Sequence, residues 1–422
     1  MTAVAVIGLG KVGLPLACYL NLVGHKVSGY DSDQNLYAKL RAGENPLPWE
    51  PGVQAPDYGG GDWDLATALK GAAAAFIVVP TPEKNGVIDS GNVCLAIEQI
   101  LDISPGIPIA VVSTLDPRDA NKVCEQTNII YNPPLIRLGH VIEDLTKPSM
   151  LLLGSGNGER TDAMDCIESV WRKPQYRRLR ATQAETVRGD ARTIATAKLA
   201  INATLSQRIA WANSIASLCE HLDVNTDTVL QAVTMDPRLG FGYMRPGWKP
   251  AGPCLPRDLD VWNDLGNNGI SRAVRQEHEY ASSKILNSIT KQLLPSFGNN
   301  PPNYKVVILG MAYNPGALST VGSLGRALYY NLPGVARPGV PAWQVRISDP
   351  AFDYLCDEMG SPAGSADAQA EIDRADIIIV TTPWPEYEKL DFRGKQVIHA
   401  HSPPEVSNDS RKAAPNPHTA FH

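Results

Sequence analysis

A cysteine in a proline-rich turn is the side chain of this sequence best placed for covalent chemistry. Cys254 lies in the segment AGPCLPRD, with Arg257 and Asp258 shortly after it. A helix that begins after the cysteine would bring this cation and this carboxylate beside the thiol. A thiol reacts as its thiolate, which a nearby positive charge favours. A lone cysteine more often fills a core, so Cys254 is a candidate nucleophile only in this context.

A glycine-rich turn near the N-terminus could hold a dinucleotide. The apolar run AVAVIG leads into GLGKVG, with Gly8, Gly10 and Gly13, and a helical pattern follows. In that context the first glycine permits the tight turn, the second lets backbone approach a pyrophosphate, and the third lets helix pack on strand. Asp31 ends the next predicted strand, where a carboxylate accepts ribose hydroxyls and repels a 2′-phosphate. We therefore expect NAD rather than NADP; a glycine turn without a ligand is the alternative.

The elements that would position these groups follow from the apolar pattern. Short apolar runs alternate with helical segments up to about residue 154 and again between residues 305 and 400. This alternation predicts parallel, doubly wound sheets. From about Glu185 to His221 proline is absent and apolar residues recur at helical spacing, which predicts one long helix. The expected fold class is α/β, with two Rossmann-like doubly wound domains joined by a long central helix.

Length and composition restrict the class of protein. A chain of 422 residues, 43% hydrophobic and 19% charged, is large enough for two or three globular domains. The formal net charge of −6 offers no general basic surface to nucleic acid or an anionic membrane. No apolar run approaches the roughly 20 residues that cross a bilayer, and no signal peptide precedes the first strand pattern. We expect a cytoplasmic protein with reduced cysteines, no metal site, and neither nucleic acid nor membrane as a partner.

Over nearly its whole length the sequence resembles the UDP-glucose/GDP-mannose dehydrogenase family. The motifs that carry the resemblance, in the family's order and spacing, are GLGKVGLPLA from Gly8, GENPLPWEPG from Gly43, VPTP from Val79 with Gly86 and Asp89, Ser113-Thr114, Tyr131-Asn132-Pro133, Lys198 with Asn202, Asp236 to Gly240, CLPRD from Cys254, and Gly310 to Tyr313. The resemblance implies an oxidoreductase that converts the primary alcohol of a nucleotide sugar to a carboxylate with NAD. A homodimer formed through the long helix and a place in polysaccharide biosynthesis are implied as well.

The resemblance also implies roles for individual residues. Cys254 would capture the aldehyde as a thiohemiacetal and then form a thioester, while Lys198 and Asn202, on one helix face, would stabilise the oxyanion. Asp258 would activate or orient the hydrolytic water, and Thr114 would position it. On pattern alone, Lys198 and Asn202 also fit a solvated helix face. The expected cofactor contacts are Gly8, Gly10, Lys11, Val12, Gly13, Asp31, Pro80, Thr81, Ser113 and Thr114, and the expected substrate contacts are Asn132, Lys198, Asn202, Arg238, Tyr243 and Lys249.

Three domains are expected on this basis. Residues 1–185 would form the NAD-binding Rossmann-like domain, and residues 186–296 a central helical domain for dimerisation and catalysis. Residues 297–422 would form a C-terminal Rossmann-like domain that binds the nucleotide sugar.

Four positions depart from the family pattern. Pro134 and Leu138 stand where the family has glutamates, of which the second is taken as a general base, and Asn314 and Val321 stand where it has a lysine and an arginine that hold the nucleotide. Each charge-assisted contact is worth about 1.5 to 3 kcal/mol, so their loss would weaken nucleotide-sugar binding. Three hypotheses stay open: the usual nucleotide-sugar dehydrogenase, a divergent enzyme with another substrate or a truncated oxidation, and a non-catalytic NAD-binding protein.

Overall fold

The computed structural model of the chain describes residues 2–53, 64–172, 184–240, 242–266, 269–293, 304–332 and 343–400. Its strands are β1 (Ala3–Ile7), β2 (Lys26–Tyr30), β3 (Ala74–Ile77), β4 (Glu83–Lys84), β5 (Val87–Ile88), β6 (Ile109–Val111), β7 (Ile129–Tyr131), β8 (Met150–Ser155), β9 (Glu185–Asp190), β10 (Lys305–Leu309), β11 (Gln344–Ser348), β12 (Gly364–Ser365), β13 (Ile377–Val380) and β14 (Gln396–His399). Its helices are α1 (Gly13–Leu22), α2 (Gln34–Arg41), α3 (Leu65–Leu69), α4 (Gly91–Ile103), α5 (Ala120–Val123), α6 (Val141–Thr146), α7 (Asp162–Arg172), α8 (Ala191–His221), α9 (Thr226–Met235), α10 (Leu255–Gly266), α11 (Gly269–Leu293), α12 (Leu324–Asn331), α13 (Phe352–Leu355) and α14 (Ala368–Arg374). The predicted domain boundary between residues 296 and 297 lies outside the described residues.

The N-terminal sheet places a topological switch point beside the glycine turn. Its strand order is β2-β1-β3-β6-β7-β8-β9. β1 pairs in parallel with β2 on one side and with β3 on the other, so the winding direction reverses between β1 and β3. Ligands of doubly wound sheets bind in the crevice at such a point. The central strands β1 and β3 are almost continuously apolar and buried because helices cover both faces.

Two features of this sheet correct the predictions. β8 runs antiparallel to β7, although the alternating pattern predicted a parallel strand. The helix between them, α6, has six residues and spans about 9 Å, too short to carry the chain back across the sheet. The predicted helix start at Glu185 is also wrong, because Glu185–Asp190 is strand β9, paired in parallel with β8. Helix α8 begins at Ala191, and the carboxylate of Asp190 caps it.

The central helices connect the two sheets. Helix α8 has 31 residues and lies against α9, α10 and α11. It begins at the last strand of the N-terminal sheet, so the side chains of its first turns face that sheet, and Ile194 and Ala195 are buried in its core. None of the helices within the described ranges combines the length and apolar character needed to span a bilayer.

The C-terminal sheet repeats the design of the N-terminal one. Its five strands are parallel in the order β12-β11-β10-β13-β14, with a switch point between β10 and β13, which confirms the second Rossmann-like unit. Leu9 N donates to Asp31 Oδ2 at 2.6 Å, and Met311 N donates to Asp349 Oδ2 at 2.7 Å, at equivalent places. Asp349 is fully buried, and Trp384 Nε1 also donates to it. The second carboxylate is therefore inaccessible to a ribose.

Candidate active site

The turn between β1 and α1 has the backbone geometry that a dinucleotide site requires. Gly8 has a φ of 93°, and a Cβ there would lie 2.3 Å from Val78 O. A Cβ on Gly13 would lie 1.8 Å from Gly8 O and would push α1 away from β1. A Cβ on Gly10 would meet nothing within 4 Å, so the space before the turn is open to a pyrophosphate. Val12 directly precedes α1, whose N-terminal amides face an anion placed there.

The carboxylate of Asp31 lies at this turn. Its Oδ2 accepts Leu9 N at 2.6 Å, and its Oδ1 accepts Asp33 N at 2.9 Å. Asp33 has a different local role, because its side chain caps α2 through Asn35 N. The position at the end of β2 therefore belongs to Asp31, as the sequence predicted. The residues present fit NAD. They provide an open glycine turn, a helix N-terminus and, after the second strand, the carboxylate that binds a ribose in such sites.

Ser113 joins the ends of β3 and β6 on the same edge of the sheet. Its hydroxyl donates to Val79 O at 2.7 Å and accepts from Val79 N at 2.9 Å. Pro80 and Thr81 follow Val79, the first exposed and the second buried. These predicted cofactor contacts therefore share the switch-point edge with Gly8, and Thr114 continues from Ser113 toward helix α8.

Asp258 is the buried anion of a cluster around the cysteine. Helix α10 begins directly after Cys254, and Asp258 N donates to Cys254 O at 2.9 Å. Arg257 lies against Asp258 Oδ1 at 2.7 Å, and Asn202 Nδ2 donates to Asp258 Oδ2 at 2.6 Å. Asp258 is fully buried, so these two partners compensate its charge. Arg257 and Asp258 follow Cys254 at i+3 and i+4 at the start of α10, and the charges of both act on the thiol.

Lys198 is the second cation of the cluster. It is buried, and its Nζ donates to Thr114 Oγ1 at 2.5 Å, which excludes a solvated helix face. Within the described part of the chain, Thr114 is the one hydrogen-bond partner of its three N–H donors. Burial lowers the pKa of Lys198, while the charges of Asp258 and Cys254 oppose that shift. The ammonium is thus preorganised to donate to an oxyanion.

The Cys254 thiol lies at the exposed side of this cluster. Its side chain is accessible to solvent, yet protein surrounds it closely enough that desolvation raises its pKa, and Asp258 adds to the rise. Arg257 and Lys198 lower that pKa, in this order of size. Arg257 also reaches Thr114 Oγ1 at 3.3 Å, a link between NAD domain and cysteine that sequence reasoning missed. The i+3 spacing signalled the contact with the thiol but not the one with Thr114.

Asn132 uses its amide inside the N-terminal domain. Its Nδ2 donates to Leu152 O at 3.0 Å, and its Oδ1 accepts from Trp171 Nε1 at 2.8 Å. The side chain is 2% exposed. In this structure Asn132 therefore ties β7 to β8 and α7, apart from the cysteine cluster.

Three other predicted substrate contacts lie on the loops before Cys254. Arg238 is 86% exposed and pairs with its neighbour Asp236 at 2.6 Å. Lys249 Nζ lies 3.2 Å from Glu279 Oε1. Tyr243 has a positive φ of 61°, a left-handed backbone that a bulky residue rarely adopts. The described contacts do not bring these side chains into the Lys198–Asp258 cluster.

Helix α6 does not replace the two glutamates that the resemblance led us to expect at Pro134 and Leu138. Glu143 and Asp144 both pair with Arg137, at 3.8 and 2.6 Å. Leu138 instead lines a small cavity together with Glu50. Burial raises the pKa of Glu50, while N–H groups of residues 139, 141 and 142 partly offset that rise. Glu50 is thus a buried carboxyl that sequence reasoning missed, although it lies in the GENPLPWEPG motif.

A glycine turn at a switch point and an acidic residue after the second strand form an NAD site, and a thiol that two cations influence lies in the same structure. The chain belongs to the UDP-glucose/GDP-mannose dehydrogenase family. The NAD binding domain of that family matches residues 2–173, and its central domain matches residues 192–273. These matches confirm the NAD cofactor and the predicted family.

The chain is similar to named relatives over nearly its whole length. It is 26% identical over 420 residues to the UDP-glucose 6-dehydrogenase of Rickettsia bellii, covering 92% of this chain and 90% of the relative. A solved UDP-glucose dehydrogenase from the hyperthermophilic archaeon Pyrobaculum islandicum matches with a TM-score of 0.77 at 28% identity, covering 95% and 94% of the two chains. A UDP-D-ManNAc dehydrogenase from Pyrococcus horikoshii, at 21% identity and a TM-score of 0.73 over 94% of each chain, shares the fold.

Proposed function

We propose that this protein oxidises the primary alcohol of a nucleotide sugar to the carboxylate in two successive hydride transfers, with Cys254 as the covalent nucleophile. The observation that supports this proposal most is the convergence of Cys254, Lys198 and Thr114 around the buried Arg257–Asp258 pair. UDP-glucose is the first substrate to test, because the relatives from Rickettsia bellii and Pyrobaculum islandicum are named for it.

In the first oxidation, the substrate hydroxyl loses its proton to water and its carbon loses a hydride, which gives the aldehyde. Bound NAD⁺ supplies the hydride acceptor for each oxidation. Lys198 donates to the substrate oxygen and stabilises the negative charge that develops as the proton leaves. Thr114 accepts from Lys198 and Arg257, so its own hydroxyl hydrogen is left to donate to the substrate or to water.

In the second oxidation, Cys254 Sγ adds to the aldehyde carbon, and the thiol proton passes to the carbonyl oxygen, giving a thiohemiacetal. Loss of hydride from that carbon and of the hydroxyl proton leaves a thioester. Water then adds, the carbon–sulfur bond breaks, and the carboxylic acid departs from the regenerated thiol. Arg257 stabilises the thiolate that leaves, and Asp258, whose Oδ2 has only Asn202 as a described partner, orients the water.

A divergent substrate or a truncated oxidation is the second candidate. Leu138 offers no carboxylate for a base, and the segment with Asn314 and Val321 offers no cation for a diphosphate. A general base contributes roughly 10² to 10⁴-fold, so we expect slow turnover of UDP-glucose. Leu138→Glu should raise that rate if the pocket is built for this chemistry, and no gain would indicate another substrate.

We also propose a homodimer formed through α8 and its neighbours. Large apolar side chains on or just after α8 and α9 are about half exposed or more: Trp211, Leu218, Leu222, Val224, Met235 and Leu239. Several large apolar side chains exposed on the same pair of helices are typical of an interface between subunits.

The number of NADH molecules formed per product tests the proposed function. With UDP-glucose, the wild-type protein should form two NADH per sugar acid, whereas Cys254→Ser should form no acid yet still bind NAD⁺. Cys356→Ser, at a partly buried cysteine directly after α13, is the matched control and should behave as the wild type.

Other outcomes would overturn parts of the proposal. One NADH per product would indicate a truncated oxidation, and NAD⁺ binding without NADH from any nucleotide sugar would indicate the non-catalytic protein. Two NADH per product at an undiminished rate in Cys254→Ser would contradict the covalent mechanism.

A further inference from the structure

The side chain of Lys11 extends from the dinucleotide turn to the C-terminal domain. Its ammonium donates to the carbonyl oxygen of Leu318, 307 residues later in the chain, and lies 3.6 Å from Glu358 Oε1. The neighbouring Gly10 faces open space, where the pyrophosphate of NAD would lie. An ammonium has three N–H donors. Lys11 can therefore hold the carbonyl, the carboxylate and a phosphate oxygen at the same time.

The segment that receives Lys11, residues 318–322, is rigidly held. We call it the bridging segment. Glu358 Oε2 accepts Thr320 N at 2.5 Å and Thr320 Oγ1 at 2.9 Å, so a single carboxylate contacts both Lys11 and the bridging segment. Ser319 and Thr320 are almost completely buried. A displacement of Glu358 or Leu318 by Lys11 would therefore move the whole bridging segment.

The bridging segment in turn fastens the loop that carries the cysteine. Gly252 N donates to the carbonyl oxygen of Val321 at 2.7 Å, and Trp248 Nε1 donates to the carbonyl oxygen of Gly322 at 2.7 Å. Gly252 packs closely against Tyr313, because a Cβ at Gly252 would lie 2.7 Å from the ring of Tyr313. Cys254 follows two residues after Gly252. A continuous series of contacts thus runs from the dinucleotide turn to the cysteine loop.

We propose that Lys11 is a positioning residue that couples the filling of the dinucleotide turn to the position of the Cys254 loop through the bridging segment. A pyrophosphate beside Lys11 holds the ammonium where it also binds Leu318 and Glu358. The cysteine loop is then fastened most firmly when the hydride acceptor is bound. By linkage, a fastened loop increases the affinity for the cofactor by the same factor. This coupling needs NAD binding but not the covalent mechanism.

Alkylation of Cys254 by iodoacetamide, followed on its peptide by mass spectrometry, measures the coupling. The ligand is ADP-ribose, which carries the pyrophosphate but no nicotinamide ring that could cover the thiol. In the wild type, saturating ADP-ribose should slow the alkylation of Cys254 about fivefold. We take this value from the lower end of the range for coupled sites, because Lys11 and Glu358 are partly exposed and solvent screens their interaction. In Lys11→Met the slowing should fall below about twofold at saturation. Lys11→Arg should restore it, and Lys26→Met, an exposed lysine of β2, should behave as the wild type.

A second variant keeps the test decisive if Lys11→Met binds ADP-ribose too weakly to saturate. Glu358→Gln leaves the dinucleotide turn intact, so it should bind ADP-ribose yet lose most of the slowing. Full slowing in saturated Lys11→Met or in Glu358→Gln would overturn the proposal, as would its absence in the wild type. Failure of sugar oxidation would count against the proposed function alone, because alkylation requires no turnover.

Discussion

Arg257 and Asp258 are adjacent residues of opposite charge that bias the Cys254 thiol in opposite directions. Arg257 lowers the pKa of Cys254, and Asp258 raises it. Arg257→Gln should therefore make the thiol less reactive at neutral pH, and Asp258→Asn should make it more reactive. A general loosening of the site would change both variants in the same direction, so the opposite signs are the distinctive result.

The size of the effect follows from the helix geometry. Side chains at i and i+3 lie roughly 5 to 6 Å apart, and two unit charges about 6 Å apart interact by about 2.8 kcal/mol at an effective dielectric constant of about 20. The Arg257 side chain is 21% exposed, so we take about half of that value, which is about a tenfold change in the thiolate population. The nucleophilicity of a thiolate changes in the opposite sense, with a Brønsted slope of about 0.4 to 0.5. The alkylation rate at pH 7 should then fall about three- to fourfold in Arg257→Gln, and it should rise by a smaller factor in Asp258→Asn.

The assay is the pH profile of iodoacetamide alkylation at the Cys254 peptide, recorded for both variants and for Arg257→Lys. The lysine variant keeps the charge and should resemble the wild type. Arg257→Gln leaves Asp258 buried without its cation, which costs about 3 to 5 kcal/mol of unfolding free energy, so thermal unfolding must show that the variant is folded. Profiles that move in the same direction, or no movement in Asp258→Asn, would refute the electrostatic argument.

Four further predictions concern cofactor, fold and assembly. Asp31→Asn should reduce the preference for NAD⁺ over NADP⁺ in binding titrations, because it removes the charge that repels a 2′-phosphate. Gly10→Ala should fold normally and weaken NAD⁺ binding, whereas Gly13→Ala should lower the melting temperature, because its Cβ would collide with backbone. Burial lowers the pKa of His278 to about 4. The unfolded state therefore binds more protons below about pH 6.5, and the free energy of unfolding falls on acidification. In denaturant titrations, His278→Leu should lose about 2 kcal/mol less of this free energy than the wild type between pH 7 and pH 5. Light scattering should give the mass of a dimer, and Trp211→Glu should shift it toward the monomer; a monomeric wild type would leave α8 as a connector only.

Local parts of the fold and site were predictable because their causes lie within a few residues. The roles of Gly8 and Gly13 follow from a single strand–turn–helix unit, and the approach of Arg257 and Asp258 to the thiol follows from helical spacing. Strand β9 was missed for the opposite reason. Glu185–Asp190 continues a proline-free stretch that suits a helix, and its strand conformation depends on pairing with β8, some 35 positions earlier in the chain.

The contacts that complete the site are all long-range. Lys198 meets Thr114 across 84 residues, and Lys11 meets Leu318 across 307 residues. No periodicity in the sequence specifies such pairs, because they depend on how α8 and the C-terminal sheet lie against the N-terminal domain. The resemblance to a family supplied Lys198 and Thr114 as candidates, but it gave no indication that Lys11 would leave its turn for another domain.

The presence of two cations beside the thiol has a physical explanation in the proposed mechanism. Arg257 stays charged at every accessible pH, so it can stabilise the thiolate throughout the cycle. Lys198 differs because burial lowers its pKa, although the charges of Asp258 and Cys254 oppose that shift. Leu138 provides no carboxylate, and Asp144 is paired with Arg137. In the proposed mechanism Lys198 therefore donates to the substrate oxygen, while the permanent charge of Arg257 stabilises the thiolate of Cys254.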